Sequence, residues 1–359
     1  MILNNLILKK IFQYLILFIK AKWIFKKPIK KKYLVIGTNT KDILIGILKK
    51  DYLIVDENNK EIYFRIFLKS ILNLSFKEFL YKYFINIVKA IDPKIIICTV
   101  DTNTFFWKLK KYFPNKKLIL IQNAKKSGNP RDLFGNLKFQ NFEKQKIDYI
   151  FLMNNSIKSE FKKYIDGKFI IHGSLKSNCI KRQKNNSNFY AFVSQISDYE
   201  NQIFDNISNK KIKETLIYES KRLLKYFTQF KPNTPINVLP YNNDKKLYSF
   251  EKSIFEEISN ELNLEIILID KVKQSDNYYQ LDNQKCSIGL TSTLLYENLG
   301  RGNKTGFFNY LKNNNVEGYS LNWPLNEGET LISTDKNDYE NFVRIMKYLD
   351  ETPKLDWDK

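Results

Sequence analysis

The part of the chain with the clearest chemical potential is residues 286–310, CSIGLTSTLLYENLGRGNKTGFFNY. An apolar run is followed by a hydroxyl-rich turn of Thr291, Ser292 and Thr293, and then by a short helical stretch. Backbone N–H groups at the start of a helix lack intrahelical partners and lie at the positive end of its dipole, so such a turn favours an anion. We expect Ser292 and Thr293 to contact the phosphate of a ligand, and Thr291 to belong to the same donor site.

Two charged residues follow in the same stretch. Glu297 lies about one turn into the helix, where its carboxylate can accept hydrogen bonds from sugar hydroxyls, and Arg301 with Gly302 ends the helix and can add positive charge. This order predicts a nucleotide-sugar site in the C-terminal half. A structural alternative stays open, because Ser292 can be an N-cap, Glu297 an acid near the helix start and Arg301 a cation at the helix end.

Polar side chains also follow four of the predicted strands, and ligands of open α/β sheets bind beyond the carboxyl ends of strands. The groups are, in chain order, Asp101 and Asn103, then Gln122 and Asn123, then His172, Gly173 and Ser174, and finally Ser194 and Gln195. We expect Ser194 and Gln195 to contact the donor half of a ligand. The other groups are candidates for catalysis and for binding an acceptor or a sugar.

An inverting sugar transfer needs a base that deprotonates the acceptor hydroxyl and a clamp on the leaving phosphate. Asp101, a carboxylate at a strand tip, is the first candidate base, and His172, the single histidine of the chain, is the second. Each has a structural alternative, because Asp101 can cap the following helix and a lone histidine is more often structural. Gln122 and Asn123 can bind sugar hydroxyls or cap a turn.

The chain carries no Asp-x-Asp pair at a predicted strand end. We therefore expect no metal ion and no cofactor, with a nucleotide-sugar as substrate. The nucleotide itself is not specified by the sequence, and CMP, UDP, GDP and dTDP donors all stay open.

Strands alternate with helices along the chain, which indicates a doubly wound α/β fold. The predicted strands are 33–37, 52–55, 94–100, 117–122, 149–153, 169–172, 190–193, 236–239 and 264–269. The predicted helices are 42–50, 76–91, 104–112, 213–230, 250–262 and 338–349. A polar, basic break at 179–188 separates two expected Rossmann-like domains, 33–180 and 189–350, facing a cleft.

Composition limits the classes of partner. The chain has 359 residues, a net charge of +21 and 43% hydrophobic residues, so it can form substantial cores and attract phosphorylated ligands or anionic membranes. Nucleic acid is not an expected partner, because no RNP, zinc-finger or helix-turn-helix pattern is present. The three cysteines are far apart, which fits a reducing cytoplasm.

The N-terminal segment, residues 1–32, mixes apolar residues with many lysines. Its apolar stretch, residues 11–19, is too short to span a bilayer, and no small-residue cleavage site marks a secretory signal. Two alternatives remain. The segment is an interfacial helix on an anionic inner membrane, which would make a cytoplasmic protein peripheral, or it is a helix packed on the N-terminal domain.

Residues 292–304, STLLYENLGRGNK, resemble the signature STLGYEALARGKK of a bacterial family of surface carbohydrate biosynthesis proteins of the leptospiral type. Further segments resemble the same family in the same order, and together they span most of the chain. They are residues 30–37, 93–111, 120–123, 148–154, 167–178, 277–281 and 322–324, the last of which is Asn322-Trp323-Pro324.

The chain departs from the family pattern at four places. The signature glycine is Leu295, the glycine of an IQNG block is Ala124, and Gly289-Leu290-Thr291 stands where an aspartate is expected. His172 occupies a position where the family pattern has an apolar residue.

The resemblance implies a GT-B-like glycosyltransferase of two Rossmann-like domains, 33–180 for the acceptor and 189–350 for the donor. Such a protein would act in surface polysaccharide biosynthesis, for lipopolysaccharide O-antigen or capsule. Its partners would be a nucleotide-sugar donor and a lipid-linked or polysaccharide acceptor. Two alternatives stay open. One is a nucleotide-sugar epimerase on the same scaffold, and the other is a non-catalytic nucleotide- or glycan-binding protein, because a fold alone does not decide function.

Overall fold

The computed structural model of the chain describes residues 19, 21–37, 41–55, 61–71, 76–124, 133–183, 188–197, 206–241, 245–270, 276–311 and 330–357. The chain divides into two compact units. Unit 1 comprises residues 1–123 and 143–175, and unit 2 comprises residues 124–142 and 176–359. The segment 124–142 therefore belongs to unit 2, although it lies within the sequence range of unit 1.

Unit 1 is built on a parallel sheet of six strands in the order β3-β2-β5-β6-β7-β8. These strands are β2 Tyr33–Ile36, β3 Tyr52–Val55, β5 Ile95–Cys98, β6 Lys117–Ile121, β7 Gln145–Leu152 and β8 Ile165–Ile171. The central strands are continuous apolar runs, as expected for a parallel sheet covered on both faces. The predicted doubly wound fold is confirmed.

The helices of unit 1 connect these strands. They are α1 Lys41–Leu48, α2 Phe64–Ile71, α3 Phe76–Ile91, α4 Thr104–Trp107, α5 Leu109–Tyr112 and α7 Lys158–Tyr164. Helix α3 buries Tyr83, Ile87 and Ile91 along one face, and it ends where Asp92, with φ 51°, precedes Pro93. Proline disfavours helical geometry in the residue before it, so this end was predictable from the sequence.

Unit 2 contains a second parallel sheet of six strands, in the order β11-β10-β9-β12-β13-β14. The strands are β9 Tyr190–Val193, β10 Ile236–Leu239, β11 Ile266–Leu268, β12 Cys286–Gly289, β13 Thr305–Phe308 and β14 Ser333–Thr334. In chain order within the unit this is 3-2-1-4-5-6, the order of a Rossmann fold. The order reverses between β9 and β12, which makes that junction the switch point where ligands of such folds bind.

The helices of unit 2 cover this sheet. They are α6 Leu133–Phe139, α9 Asn206–Phe230, α10 Lys245–Leu262, α11 Asp276–Asp282, α12 Thr293–Gly300, α13 Tyr339–Glu351 and α14 Lys354–Trp357. Helix α8 Leu175–Asn178 begins at the last residue of unit 1. The core between α9, α10, α13 and the strands is aromatic, with Phe192, Phe227, Phe255, Phe308 and Phe342 fully buried. Burial of large side chains of this kind dominates the stability of the unit.

The described part of the N-terminal segment differs from the helix that its sequence predicts. Residues Lys22–Ile24 form strand β1, which pairs in parallel with β4, Glu61–Tyr63. The Trp23 ring packs edge-on against Phe64 and Phe67, with centroids 5.9 and 5.1 Å away. This aromatic contact and the strand pairing explain why an extended backbone replaces a helix here. Residues 1–18 lie outside the described residues.

Candidate functional site

The switch point of unit 2 brings two predicted donor loops together. Strands β9 and β12 are in register, with Val193 opposite Gly289, so the loops that follow them begin at the same level. The side-chain Oε1 of Gln195 accepts a hydrogen bond from the Thr291 N–H at 2.8 Å, and the Thr291 hydroxyl lies 3.4 Å from the same atom. Ser194 is buried, and its Oγ accepts from the Ile196 N–H. Both loops are therefore held in fixed positions around the edge of the sheet.

Helix α12 begins at this edge. Ser292 is its N-cap, with extended backbone angles and an Oγ that accepts from the Leu294 N–H at 3.3 Å. Ser292 is buried and Thr293 is half-buried. Ser292 therefore has the N-cap role that was the structural alternative to a phosphate contact. The positive end of the helix dipole nevertheless lies beyond the carboxyl ends of β9 and β12, where it favours an anion.

Leu295, which replaces the signature glycine, faces the interior. It is fully buried among Ala191, Val193 and other apolar residues of unit 2. A Cβ atom placed on Gly289 would lie 3.0 Å from Leu295 Cδ1 and 2.8 Å from the Val193 carbonyl oxygen. The missing side chain at Gly289 therefore provides the space that Leu295 fills, and the departure from the family signature is accommodated by core packing.

Glu297 lies in a buried polar cluster in the middle of α12. Its Oε2 accepts a hydrogen bond from the Tyr278 hydroxyl at 2.9 Å, and the residue is 7% exposed. Lys176 is close enough for its charge to interact with the Glu297 carboxylate. Burial lowers the pKa of the Lys176 ammonium below its usual value, and the Glu297 charge opposes that change. Lys176 was not among the predicted site residues, although it lies within the segment 167–178 that resembles the family.

Arg301 is placed away from Ser292 and Thr293, but it is one helical turn from Glu297, and its guanidinium carbon lies 5.4 Å from the centroid of the Tyr278 ring, whose hydroxyl donates to Glu297. It is the C-cap of α12, while Ser292 is the N-cap, so the two ends of the helix lie about 12 Å apart at ~1.5 Å per residue. Its guanidinium donates to Asp282 Oδ1 from Nε at 2.9 Å, and Nη1 donates to the carbonyl oxygens of Ser177 and Ile180 at 2.9 and 3.0 Å. These contacts give Arg301 a structural role at the opposite edge of the sheet.

The switch point of unit 1 carries the first candidate base. In that sheet the order reverses between β2 and β5, and Asp101 follows β5. Asp101 is 3% exposed. Asn103 is the N-cap of α4, and its Oδ1 accepts from the Phe106 N–H at 3.1 Å, so the capping role belongs to Asn103.

The two amides after β6 have different surroundings. Gln122 is 2% exposed, and its Oε1 accepts from the Met153 N–H at 2.9 Å. This bond ties the end of β6 to the residue after β7. Asn123 is half-buried, and its Oδ1 has no hydrogen-bond partner within the described part of the chain. Of the two, Asn123 is therefore the better placed to bind a hydroxyl group.

The residues after β8 become more buried along the chain, from His172 to Ser174. His172 is exposed, and its ring contacts Phe151 edge-on with centroids 5.8 Å apart. The backbone N–H of His172 donates to the Leu152 carbonyl. Gly173 has a φ of 79°, a left-handed conformation that glycine adopts without strain. Ser174 is buried.

Two features are absent from the described residues. These residues contain no group of three or more His, Cys, Asp or Glu side chains that could hold a metal ion. No helix among them combines the length and the apolar character that a bilayer-spanning segment needs. Trp323 and Pro324 lie outside the described residues.

Comparison with protein families gives one match. The model of a family described as "putative O-antigen biosynthesis protein" matches residues 119–359, which include both switch-point loops of unit 2. No curated protein matches the chain.

Several solved structures are similar to the chain, two of them with TM-scores above 0.5. The UDP-GlcNAc 2-epimerase of Methanocaldococcus jannaschii, solved with UDP-GlcNAc and UDP, superposes with a TM-score of 0.52 at 11% identity, over 90% of this chain and 93% of that one. A "putative UDP-N-acetylglucosamine 2-epimerase" of Listeria monocytogenes gives 0.51 at 12% identity, over 91% and 90%. A glycosyltransferase of Rickettsia africae gives 0.44 at 10% identity, over 89% and 88%. At these identities the likeness concerns the fold.

Proposed function

Since the chain belongs to the family of putative O-antigen biosynthesis proteins, we propose that it is a glycosyltransferase that uses a nucleotide-sugar donor. Its product would be a surface polysaccharide, either lipopolysaccharide O-antigen or capsule. The acceptor would be a lipid-linked saccharide or a polysaccharide. No metal ion or additional cofactor takes part in this proposal.

The observation that carries the proposal is the arrangement of the switch point in unit 2. The Gln195–Thr291 hydrogen bond fixes two loops beside the N-terminus of α12. A donor diphosphate placed there would meet backbone N–H groups and the positive end of the helix dipole. Glu297, with Lys176 beside it, supplies a carboxylate and an ammonium group for the hydroxyls of the ribose or the sugar.

In the proposed reaction Asp101 is the general base. Its carboxylate takes the proton of the acceptor hydroxyl while that oxygen forms a bond to the anomeric carbon of the donor. The bond from the anomeric carbon to the phosphate oxygen breaks, and the nucleotide leaves with its charge stabilised at the helix N-terminus. Asn123 and Gln122 are the proposed ligands of sugar hydroxyls, and His172 is the alternative base.

We also propose that the protein lies peripherally on the inner face of the bacterial membrane. The apolar side chains of Ile19, Phe25 and Ile29 are 79%, 64% and 73% exposed, which supports a position on a membrane surface. The segment from 19 to 32 carries seven lysines and no acidic residue. Apolar residues among lysines bind anionic lipid surfaces.

A second candidate function is nucleotide-sugar epimerisation. The solved structures with TM-scores of 0.52 and 0.51 are a UDP-GlcNAc 2-epimerase and a protein described as one. Moving a proton from one face of a sugar carbon to the other needs acid–base groups on both faces. Asp101, a buried carboxylate after a strand of unit 1, is sufficient as the single base of a transfer, whereas epimerisation would need a second acid–base group such as His172.

The first experiment is a thermal unfolding screen of the full-length protein with CMP, UDP, GDP and dTDP and their sugars. A nucleotide that binds only the folded state raises the unfolding midpoint by mass action. We expect one nucleotide class to stabilise wild type and to lose this effect in Glu297→Ala. If no nucleotide stabilises wild type, the donor site is refuted and a glycan-binding role takes its place.

The second experiment separates transfer from epimerisation. The stabilising nucleotide-sugar is incubated with and without membrane extract as a source of acceptor, and free nucleotide and sugar epimer are measured. A transferase releases nucleotide only with acceptor, and Asp101→Asn should abolish release while retaining donor binding. Formation of the epimer without acceptor would identify the second candidate function.

A further inference from the structure

Unit 2 has a pocket at the edge of its sheet opposite the switch point. Leu299 lies in the last turn of α12, Leu331 precedes β14, and Tyr348 and Trp357 lie at the end of α13 and in α14. The amino ends of parallel strands and the carboxyl ends of the connecting helices meet at one edge of such a sheet. The pocket, which we call the amino-edge pocket, is therefore separate from the proposed donor site. Its volume is about 780 Å³.

The apolar wall of the amino-edge pocket is partly open to solvent. Leu331 is 61% exposed, while Leu299 and Ile332 are half-buried. The rings of Tyr348 and Trp357 have centroids 6.2 Å apart and are tilted by 50°, so they present two aromatic surfaces at an angle. Exposed apolar side chains grouped beside aromatic rings mark binding sites more often than isolated ones do.

The polar groups of the pocket are a guanidinium and a carboxylate. Arg182 is half-buried and donates from Nη2 to the Gly302 carbonyl at 3.0 Å and to Asn303 Oδ1 at 3.2 Å. Its Nε is buried and has no hydrogen-bond partner within the described residues. Asp356 is exposed on another wall. Arg301 also lines the pocket, but its charge is already paired with Asp282.

The charged and aromatic side chains of the pocket together indicate which class of ligand it fits. Arg182 and Asp356 have opposite charge, so the pocket has no excess positive charge for a diphosphate. The C–H faces of a pyranose ring are apolar and pack on aromatic rings, while its hydroxyls both donate to carboxylates and accept from guanidinium groups. A volume of about 780 Å³ lies within the range of pockets that hold small ligands, ~300–1,000 Å³.

We propose that the amino-edge pocket binds one or two saccharide units of a glycan chain. Trp357 and Tyr348 contact the ring faces, Asp356 accepts from hydroxyls and Arg182 donates to them. Because the pocket lies at the edge opposite the donor loops, its role is to hold glycan and not to carry out chemistry. Such a second site raises the effective concentration of a polysaccharide at the protein. The inference does not depend on a glycosyltransferase activity.

The test is binding of full-length protein to an array of bacterial O-polysaccharides and of oligosaccharides of N-acetylglucosamine, mannose, rhamnose and galactose. We expect wild type to bind at least one of these glycans. Trp357→Ala should weaken that binding by about tenfold or more, since loss of an aromatic contact is the largest single change expected. Asp356→Asn should weaken it by about threefold to tenfold through the loss of a charge-assisted hydrogen bond.

Two controls make the result specific. Tyr218→Ala removes a surface aromatic residue of unit 2 that is 56% exposed and does not line the pocket, and it should leave glycan binding unchanged. Glu297→Gln should reduce nucleotide stabilisation without reducing glycan binding, which separates this site from the donor site. Because Trp357 also packs against the core, unfolding midpoints are measured for every variant, and Asp356→Asn gives the answer if Trp357→Ala does not fold.

The proposal is overturned if wild type binds no glycan on the array. It is also overturned if binding occurs but is unchanged in both Trp357→Ala and Asp356→Asn, or if it is lost in Glu297→Gln, since the glycan would then occupy the donor site.

Discussion

The Arg301 guanidinium and the Asp282 carboxylate form a two-point ion pair inside unit 2, with Nε to Oδ1 at 2.9 Å and Nη2 to Oδ2 at 2.5 Å. The two side chains are 5% and 0% exposed. Asn303 and the Gln183 N–H also donate to Asp282 at 2.9 Å each, so the carboxylate is fully surrounded by donors. The arginine of the family signature therefore joins α11, α12 and the segment 177–183.

Removing one partner of this pair should destabilise the protein strongly. Arg301→Ala leaves the Asp282 charge buried without its main partner, and such changes lower the free energy of unfolding by about 3–5 kcal/mol. Urea unfolding of wild type and variant measures the difference. Lys163→Ala, which breaks the exposed Lys163–Glu160 pair, is the control and should change stability by less than about 1 kcal/mol. A loss for Arg301→Ala as small as that of the control would contradict the structural role.

Stability in acid should depend on Asp282. Burial acts to raise the pKa of this carboxyl, but hydrogen bonds from Arg301, the Gln183 N–H and Asn303 outweigh it and hold the pKa below its usual value. A carboxyl with a lowered folded pKa stabilises the protein above its unfolded pKa, ~3.9, and this contribution disappears as the pH falls through the folded pKa. The stability difference between wild type and Asp282→Asn should thus shrink from pH 6 towards pH 3. A stability difference that stays constant over this pH range would refute the contribution of Asp282.

The buried Lys176 ammonium group should lower the free energy of unfolding while it contributes to ligand binding. Burial lowers the pKa of Lys176 in the folded protein, and the Glu297 charge opposes this change. Between the folded pKa and the unfolded value of ~10.5, the unfolded chain therefore binds more protons than the folded protein. The free energy of unfolding rises with pH in that window. Lys176→Met should raise the unfolding midpoint at neutral pH and flatten this alkaline rise. It should also weaken nucleotide-sugar binding, measured by calorimetry. Unchanged binding would show that Lys176 is not part of the donor site.

The absence of a side chain at Gly289 should be energetically coupled to the leucine at position 295. Gly289→Ala places a Cβ 2.8 Å from the Val193 carbonyl and 3.0 Å from Leu295 Cδ1, and overpacking of this kind lowers the free energy of unfolding by ~1–3 kcal/mol. The double variant Gly289→Ala with Leu295→Ala removes one of these two clashes. Its loss should be smaller than the sum of the two single losses, as a double-mutant cycle in urea measures. Strict additivity would show that the two residues are not coupled.

A negative charge at Gln195 should reduce donor binding selectively. Gln195→Glu keeps an oxygen that can accept from the Thr291 N–H but places a carboxylate at the proposed phosphate position. We expect nucleotide-sugar affinity to fall by about tenfold or more, with a smaller loss at high salt, because screening weakens the repulsion. Asn103→Asp is the matched control, since Asn103 caps α4 in unit 1 and should not affect donor affinity. Equal losses for both variants would argue against a phosphate beside Gln195.

Much of the fold followed from local patterns in the sequence. Continuous apolar runs predicted β2, β5, β9 and β10 to within a few residues, since parallel strands are buried on both faces. The spacing of Tyr83 and Ile87, with the stop at Asp92-Pro93, predicted helix α3. The sequence also placed hydroxyl and amide residues after strands, and the sheet topology then brought Gln195 and Thr291 into contact.

Other features were decided by tertiary structure alone. The partner of Arg301 is Asp282, which no local signal identifies, and its further contacts at Ser177 and Ile180 lie more than a hundred residues away in the chain. Position in the sequence suggested that Arg301 adds positive charge to the donor site, whereas burial of its charge requires a carboxylate partner. Lys176 was missed for the same reason, because its pKa depends on burial and on Glu297. Local spacing thus determines helices, strands and the loops between them, while long-range packing determines which polar groups are available to a ligand.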